Sequence, residues 1–192
     1  MKKASKVRER ILNTAGHLFY EQGYLATGIN QIIDEAEIAK SSLYEHFSCK
    51  EDLLTAYLNI AEKEWFDGLR QEEASTLSPV DRLLGLFDYR LIVAKKKMQP
   101  LKGCAFVRVA YEMPNLTIAV EQVIRKYKES VREYIFSAVT ELVGANNTTK
   151  AESLTDTIYY IFEGCGVEST IFRTQESFKK AKTIVSQILN QS

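Results

Sequence analysis

Residues 27–50 read TGINQIIDEAEIAKSSLYEHFSCK, from Thr27 to Lys50, and the fold turns on how this stretch is read. Ile29, Ile32, Ile33 and Ala36 recur at helical spacing behind Thr27, whose hydroxyl suits an N-cap, so a short helix is expected there. Glu37 to Ala39 read as a turn. Lys40 to Phe47 read as a second helix anchored inward by Leu43 and Phe47, with a third helix starting at its end. Two short helices across a tight turn are the outline of a helix-turn-helix DNA reader. The outward side chains fit that use: Lys40 can meet a phosphate or a guanine edge, Ser41 and Ser42 are small enough to let the helix into a groove, and Tyr44 and His46 can donate to phosphates. The first-turn amides of the earlier helix suit a phosphate oxygen as well. A plain surface helix would show the same two buried anchors and polar outer face, so the flanking chain has to decide.

Upstream, Ile11, Leu12, Ala15, Leu18 and Phe19 lie on one face of an amphipathic helix over 5–22, and Gly23 is its expected left-handed cap. Residues 1–10 carry Lys2, Lys3, Lys6, Arg8 and Arg10 against Glu9 alone, a basic arm in a chain whose formal net charge is zero. A zero sum argues against nucleic acid, but the distribution restores the case. The opening MKKASKVRER has no apolar run behind it and does not read as a secretory signal. Leu83 to Ala94, the most apolar stretch, is interrupted by Asp88 and Arg90 and is too short to span a bilayer. A cytoplasmic chain without a membrane partner is expected.

Downstream the period stays helical. With 45% hydrophobic and 26% charged residues among 192, and three prolines, an all-α globular chain of about nine helices is expected. Leu53, Leu54, Tyr57, Ile60, Ala61, Trp65 and Leu69 stripe a long helix from Lys50 to about Glu73. Ser75 to Ser78 read as a loop, and Ser78-Pro79-x-Asp81 opens a helix to Lys97 whose Lys95-Lys96-Lys97 end suits the helix dipole. A break at Gln99 to Gly103 around Pro100 precedes a short helix, Cys104 to Met113, with Phe106, Val107, Ala110 and Tyr111 on its apolar side. A helix from about Leu116 to Val143 stops at Gly144. Thr149-x-x-Glu152 reads as a capping box for Lys150 to Phe172, and Gln175 to Leu189 closes the chain. Gly164 and Gly166 each cost about 1 kcal/mol against Ala in a helix, but permit close helix approach.

The run GYLATGINQIIDEAEIAKSSLYEHFSCKEDLL, with Leu43-Tyr44-x-His46-Phe47-x-x-Lys50-Glu51-x-Leu53 as its most specific part, resembles the N-terminal domain of the tetracycline-repressor (TetR) family of bacterial transcription regulators. The likeness covers residues 5 to about 55, including Phe19-Tyr20-Glu21-Gln22-Gly23-Tyr24. It implies a three-helix helix-turn-helix domain over 1–50 and a helical-bundle ligand-binding and dimerisation domain over 51–192. It further implies that Thr27 and Gly28 hold backbone phosphates, that Ala39, Lys40, Ser41 and Ser42 approach base edges, and that Tyr44, His46 and Lys50 clamp the flanking backbone. Partners implied are a palindromic double-stranded DNA operator, a second copy of the chain and a small-molecule inducer. The dimer contact is expected on the last two helices, through Leu154, Ile158, Ile161, Cys165, Phe178, Ala181, Val185 and Ile188. Two acids depart from the pattern. Glu37 stands where the family usually has glycine in the turn, so either another residue bends or Glu37 goes left-handed at about 1 kcal/mol. Glu45 faces the groove side and could accept from a cytosine amino group or repel phosphate. Ser48-x-x-Glu51 reads as a capping box for the next helix.

Catalysis is not expected: His17 and His46 are the two histidines, both in the headpiece, and no Gly-rich phosphate loop, H-E-x-x-H or G-x-S-x-G is present. No metal or cofactor is expected. Trp65, Phe66, Phe87, Tyr89, Phe106, Tyr111 and Phe162 are candidate lining for a small apolar or aromatic ligand, or simply core; Arg90, Arg108, Glu112 and Glu163 could supply polarity. Cys49, Cys104 and Cys165 are odd in number and lack C-x-x-C spacing, so reduced thiols are expected. A thiol-based redox regulator, with Cys49 or Cys104 as sensor, is the alternative function, and a helical binding module without DNA is a further one.

Overall fold

The structure is a computed structural model that describes residues 2–72, 78–96 and 102–190. Among these residues it contains nine helices and no strand: α1 (Lys2–Glu21), α2 (Ile29–Glu35), α3 (Lys40–Tyr44), α4 (Lys50–Glu72), α5 (Pro79–Lys96), α6 (Ala105–Glu112), α7 (Ile118–Val143), α8 (Thr148–Phe172) and α9 (Glu176–Leu189). The expected all-α fold is present, with helix ends moved by a few residues. The loop at 75–77, the break around Pro100, Glu73, Lys97 and the side chains of Lys2, Lys3, Lys95 and Lys96 lie outside the described residues. Among those described, no helix is long and apolar enough to cross a membrane, and no group of three His, Cys, Asp or Glu side chains is placed to hold a metal ion. The helices form two compact units, Met1–Lys63 with Cys104–Lys126, and Glu64–Gly103 with Tyr127–Ser192, so the division falls inside α4 and inside α7.

In the first unit, α1 packs on α2 and α3, and Ile11, Leu12, Ala15, Leu18 and Phe19 are buried in one core with Ile32, Ile33, Leu43, Phe47, Leu53, Leu54 and Leu58. Each such side chain contributes about 1.5–3 kcal/mol on burial, which outweighs the weak helix-forming tendency of segments as short as α2 and α3. Gly16 lets α4 come close: a Cβ there would lie 2.7 Å from the Tyr57 ring. The α1 helix ends at Gly23, with φ 101, as expected. One bond of the box expected at Ser48-x-x-Glu51 is present, displaced by one residue. Asp52, not Glu51, accepts the Ser48 amide at 3.1 Å, because α4 starts at Lys50 and places Asp52 in its first turn facing back.

In the second unit, α9 packs on α8 and α5. At the start of α5 the Ser78 hydroxyl accepts the Asp81 amide at 3.1 Å, and Pro79 occupies the first helical position. The α8 helix starts at Thr148, ahead of the expected Thr149 capping box, behind Asn147. Most of the residues expected to meet a second copy lie in the interior of the single chain. Leu154, Ile158, Cys165, Phe178, Ala181 and Val185 are buried within one chain, and Ile161 and Ile188 are half-buried. The physical reason is that the α8 and α9 stripes interlock with each other and with α5. Gly166 is not what sets that closeness, since a Cβ there would make an ordinary contact, 3.8 Å from the Phe178 ring.

Candidate nucleic-acid interface

The turn between α2 and α3 is built by the backbone. Glu37 adopts φ 50, the left-handed conformation, and the two bonds of a Schellman motif close over it: Glu37 N–H to Asp34 O at 3.1 Å and Ile38 N–H to Ile33 O at 3.2 Å. The turn therefore keeps its form without glycine. Arg10 of α1 donates from Nη2 to the Glu37 carbonyl at 3.2 Å. A hydrogen bond of about 1 kcal/mol is enough to offset the left-handed strain of similar size. Part of the basic arm is thus engaged within the headpiece, since Arg8 also lies over the Phe47 ring at 5.3 Å.

The helix that follows turns Leu43 fully inward and leaves Lys40, Ser41, Tyr44 and Glu45 exposed, with Ser42 and His46 half-buried at its edges. Ala39 is its exposed N-cap in extended conformation, and Glu45 its C-cap. Gly28, not Thr27, is the N-cap of α2, and no side chain caps that end. Thr27 is 1% exposed because its hydroxyl donates to Gly23 O at 2.6 Å, so the side chain braces the end of α1 instead of capping α2. Gln22 reinforces this corner, donating to Thr27 Oγ1 at 3.3 Å and Gln31 Oε1 at 2.8 Å. The α2 end itself stays open, and a Cβ on Gly28 would meet nothing within 4 Å.

Lys50 is committed more deeply than its motif position implies. Its Nζ donates to Tyr24 O at 2.6 Å and stands 4.2 Å from the Tyr24 ring centroid. Burial pushes the ammonium below its usual pKa, while Glu112 acts in the opposite direction. Burial, then the charges of Glu51 and Cys49, push the Tyr24 phenol up to about 12, so it stays neutral. Glu112 belongs to a clasp from α6. Arg108 donates to Tyr20 O at 2.8 Å and to Glu112 at 2.6 Å, and Glu112 accepts the Leu25 amide at 3.2 Å. Arg108 and Glu112 therefore hold the end of α1. Their i, i+4 spacing signals a helix pair, but nothing in the sequence signals that the pair grips backbone so far away.

The candidate ligand residues divide between the units. Trp65, Phe66, Phe87, Tyr89 and Phe162 lie in the second, where Trp65 meets Tyr89 at 4.8 Å and Phe162 at 6.4 Å between ring centroids. Phe106 and Tyr111 lie in the first. Tyr111 is 85% exposed, because α6 buries Phe106 and Val109 and turns Tyr111 away.

A family model described as bacterial regulatory proteins, tetR family, matches residues 11–57. The HTH-type transcriptional regulator QacR of Staphylococcus aureus is 37% identical over 67 residues, 35% of this chain and 36% of that protein. The HTH-type transcriptional repressor KstR2 of Mycobacterium tuberculosis is 38% identical over 80 residues, 42% of this chain and 40% of that protein. The chain thus spans about two fifths of the length of these relatives. In overall fold it is similar to a TetR transcriptional regulator from Chloroflexus aurantiacus, with a TM-score of 0.85 and 24% identity over 100% of this chain and 98% of that one.

Proposed function

The chain belongs to the tetR family of bacterial regulatory proteins through residues 11–57, and from that premise we propose that it is a transcriptional regulator that binds double-stranded operator DNA in the cytoplasm. The observation that carries this reading is the outward edge of α3, where Lys40, Ser41 and Tyr44 stand exposed above a fully buried Leu43. Residues 1–50 act as the reader and 51–192 as the body that pairs two readers and responds to a ligand. Ala39, Lys40, Ser41, Ser42 and Glu45 face base edges, and the open end of α2 at Gly28 takes a phosphate. Tyr44 and His46 hold the flanking backbone. Lys50 braces the Tyr24 turn and keeps ammonium protons for the same phosphates, since it carries three donors.

The regulator works as a homodimer, with half-sites of a palindrome about 34 Å apart. The surface that suits the second copy is the outer side of α8. Tyr160, Val167 and Ile171 are 66%, 49% and 69% exposed, and they follow one helix face on which Gly164 leaves open space. Phe172 and, on α9, Ile184 add exposed apolar surface. A small apolar or aromatic ligand in the body relieves repression by favouring one of two headpiece spacings; the relative KstR2 is named a repressor. Thiol sensing finds no support at Cys165, because burial pushes its thiol up to about 12 and disfavours the reactive thiolate.

The test is duplex binding by Lys40→Ala and Tyr44→Ala. Each loses about 1–3 kcal/mol of operator affinity, and loss of a phosphate contact lowers the salt slope by about 1. Unchanged affinity in both variants would contradict the assigned reading helix.

A further inference from the structure

We infer that the second unit binds an organic anion, its acidic group held by Arg90 and the Trp65 indole N–H and its apolar body taken by the surrounding aromatic rings. This rests on the ligand-responsive reading above and adds the ligand class to it. Trp65 of α4 is 7% exposed, and its Nε1 is buried without a hydrogen-bond partner among the described residues. Native folds rarely leave a buried donor in that state, and an acceptor brought by a ligand would satisfy it. Beside it, the Arg90 guanidinium of α5 lies 5.3 Å from the Trp65 ring centroid and 5.5 Å from that of Phe178. Arg90 is half-buried and makes no ion pair or hydrogen bond among the described residues.

Two lysines of this unit are paired. Lys182 holds Asp88 at 2.6 Å, and Lys128 holds Glu163 at 2.5 Å. Cys165 feels the Arg90 charge, yet burial keeps the thiol protonated, so it supplies no anion. The rings around this corner are continuous: Trp65 with Tyr89 and Phe162, then Phe162 with Phe87 at 5.5 Å and with Phe178 at 6.2 Å. An apolar body with one carboxylate matches both features, because the carboxylate accepts from guanidinium and indole together. An amine would face an uncompensated cation.

Trp65 is the single tryptophan of the chain, so its fluorescence reports on this corner alone. The full chain is titrated with 4-phenylbutyrate, its neutral amide and the corresponding amine, by fluorescence and by calorimetry. The carboxylate is expected to bind at least tenfold more tightly than the amide, and the amine more weakly than either. Arg90→Met should bring the carboxylate to the level of the amide, with a cooperative thermal melt showing that the variant is folded; Arg90→Lys should retain part of the preference. Equal binding of carboxylate and amide, or an unchanged carboxylate in Arg90→Met, overturns the anion assignment and leaves a ligand site standing. No binding by any of the three at millimolar concentration removes the ligand-responsive reading and this inference with it.

Discussion

At Glu37 the chain keeps a left-handed residue at φ 50 where glycine would be unstrained, and it keeps an acid beside the surface proposed to approach phosphate. The bonds that hold the turn, from Arg10, Glu37 and Ile38, all use backbone groups at the turn itself, so they survive a change of side chain. Glu37→Gly should therefore relieve about 0.5–1 kcal/mol of strain, partly offset by the greater freedom of glycine in the unfolded chain. The melting temperature is expected to rise by about 1–3 °C. Operator affinity should rise too, because one negative charge leaves the DNA-facing side. A lower melting temperature would mean that the Glu37 side chain stabilises the turn in a way these contacts do not describe. Lys50 shows the same economy: one ammonium both ties α4 to Tyr24 and stands at the reader's flank.

Among the elements, α6 holds the end of α1 through Arg108 and Glu112, and Gly23 is what allows them in. A Cβ at Gly23 would lie 2.4 Å from Glu112 Oε1 and 2.8 Å from Arg108 Nη2, at a φ of 101 that side chains rarely adopt. Gly23→Ala should cost more than about 1 kcal/mol, and Arg108→Ala should speed amide exchange at Leu25 by releasing Glu112. Unchanged exchange in the second variant would show that Glu112 holds Leu25 without Arg108. The helices are legible in the sequence because the three-to-four period of Ile11, Leu18, Ile32 and Leu43 is local information. So is the outward face of α3, once Leu43 and Phe47 are taken as anchors. The clasp is not legible: Arg10 and Arg108 donate to backbone carbonyls 27 and 88 residues away, and a carbonyl carries no mark of residue type. Which apolar stripe of α8 stays outside is not legible for a related reason. The apolar period of α8 identifies its stripes but not which of them α9 covers, and the covered one holds Ile158 and Phe162.

For the whole molecule, the proposed function needs two headpieces fixed by one symmetric contact. If the outer side of α8 makes it, Val167→Asp combined with Ile171→Asp should yield folded monomers by light scattering, since both side chains are exposed in the single chain. Ile158→Asp should instead destabilise the fold by more than about 3 kcal/mol, because it places an unpaired charge at a fully buried position. A persistent dimer in the double variant would move the contact elsewhere. The most direct test of the central claim is selection of duplex DNA from a random library by the purified full chain. The account predicts enrichment of an inverted repeat whose half-sites lie about one helical turn, roughly 34 Å, apart, lost in Tyr44→Ala and weakened steeply by salt. No enrichment, or an enriched site without two-fold symmetry, would contradict it.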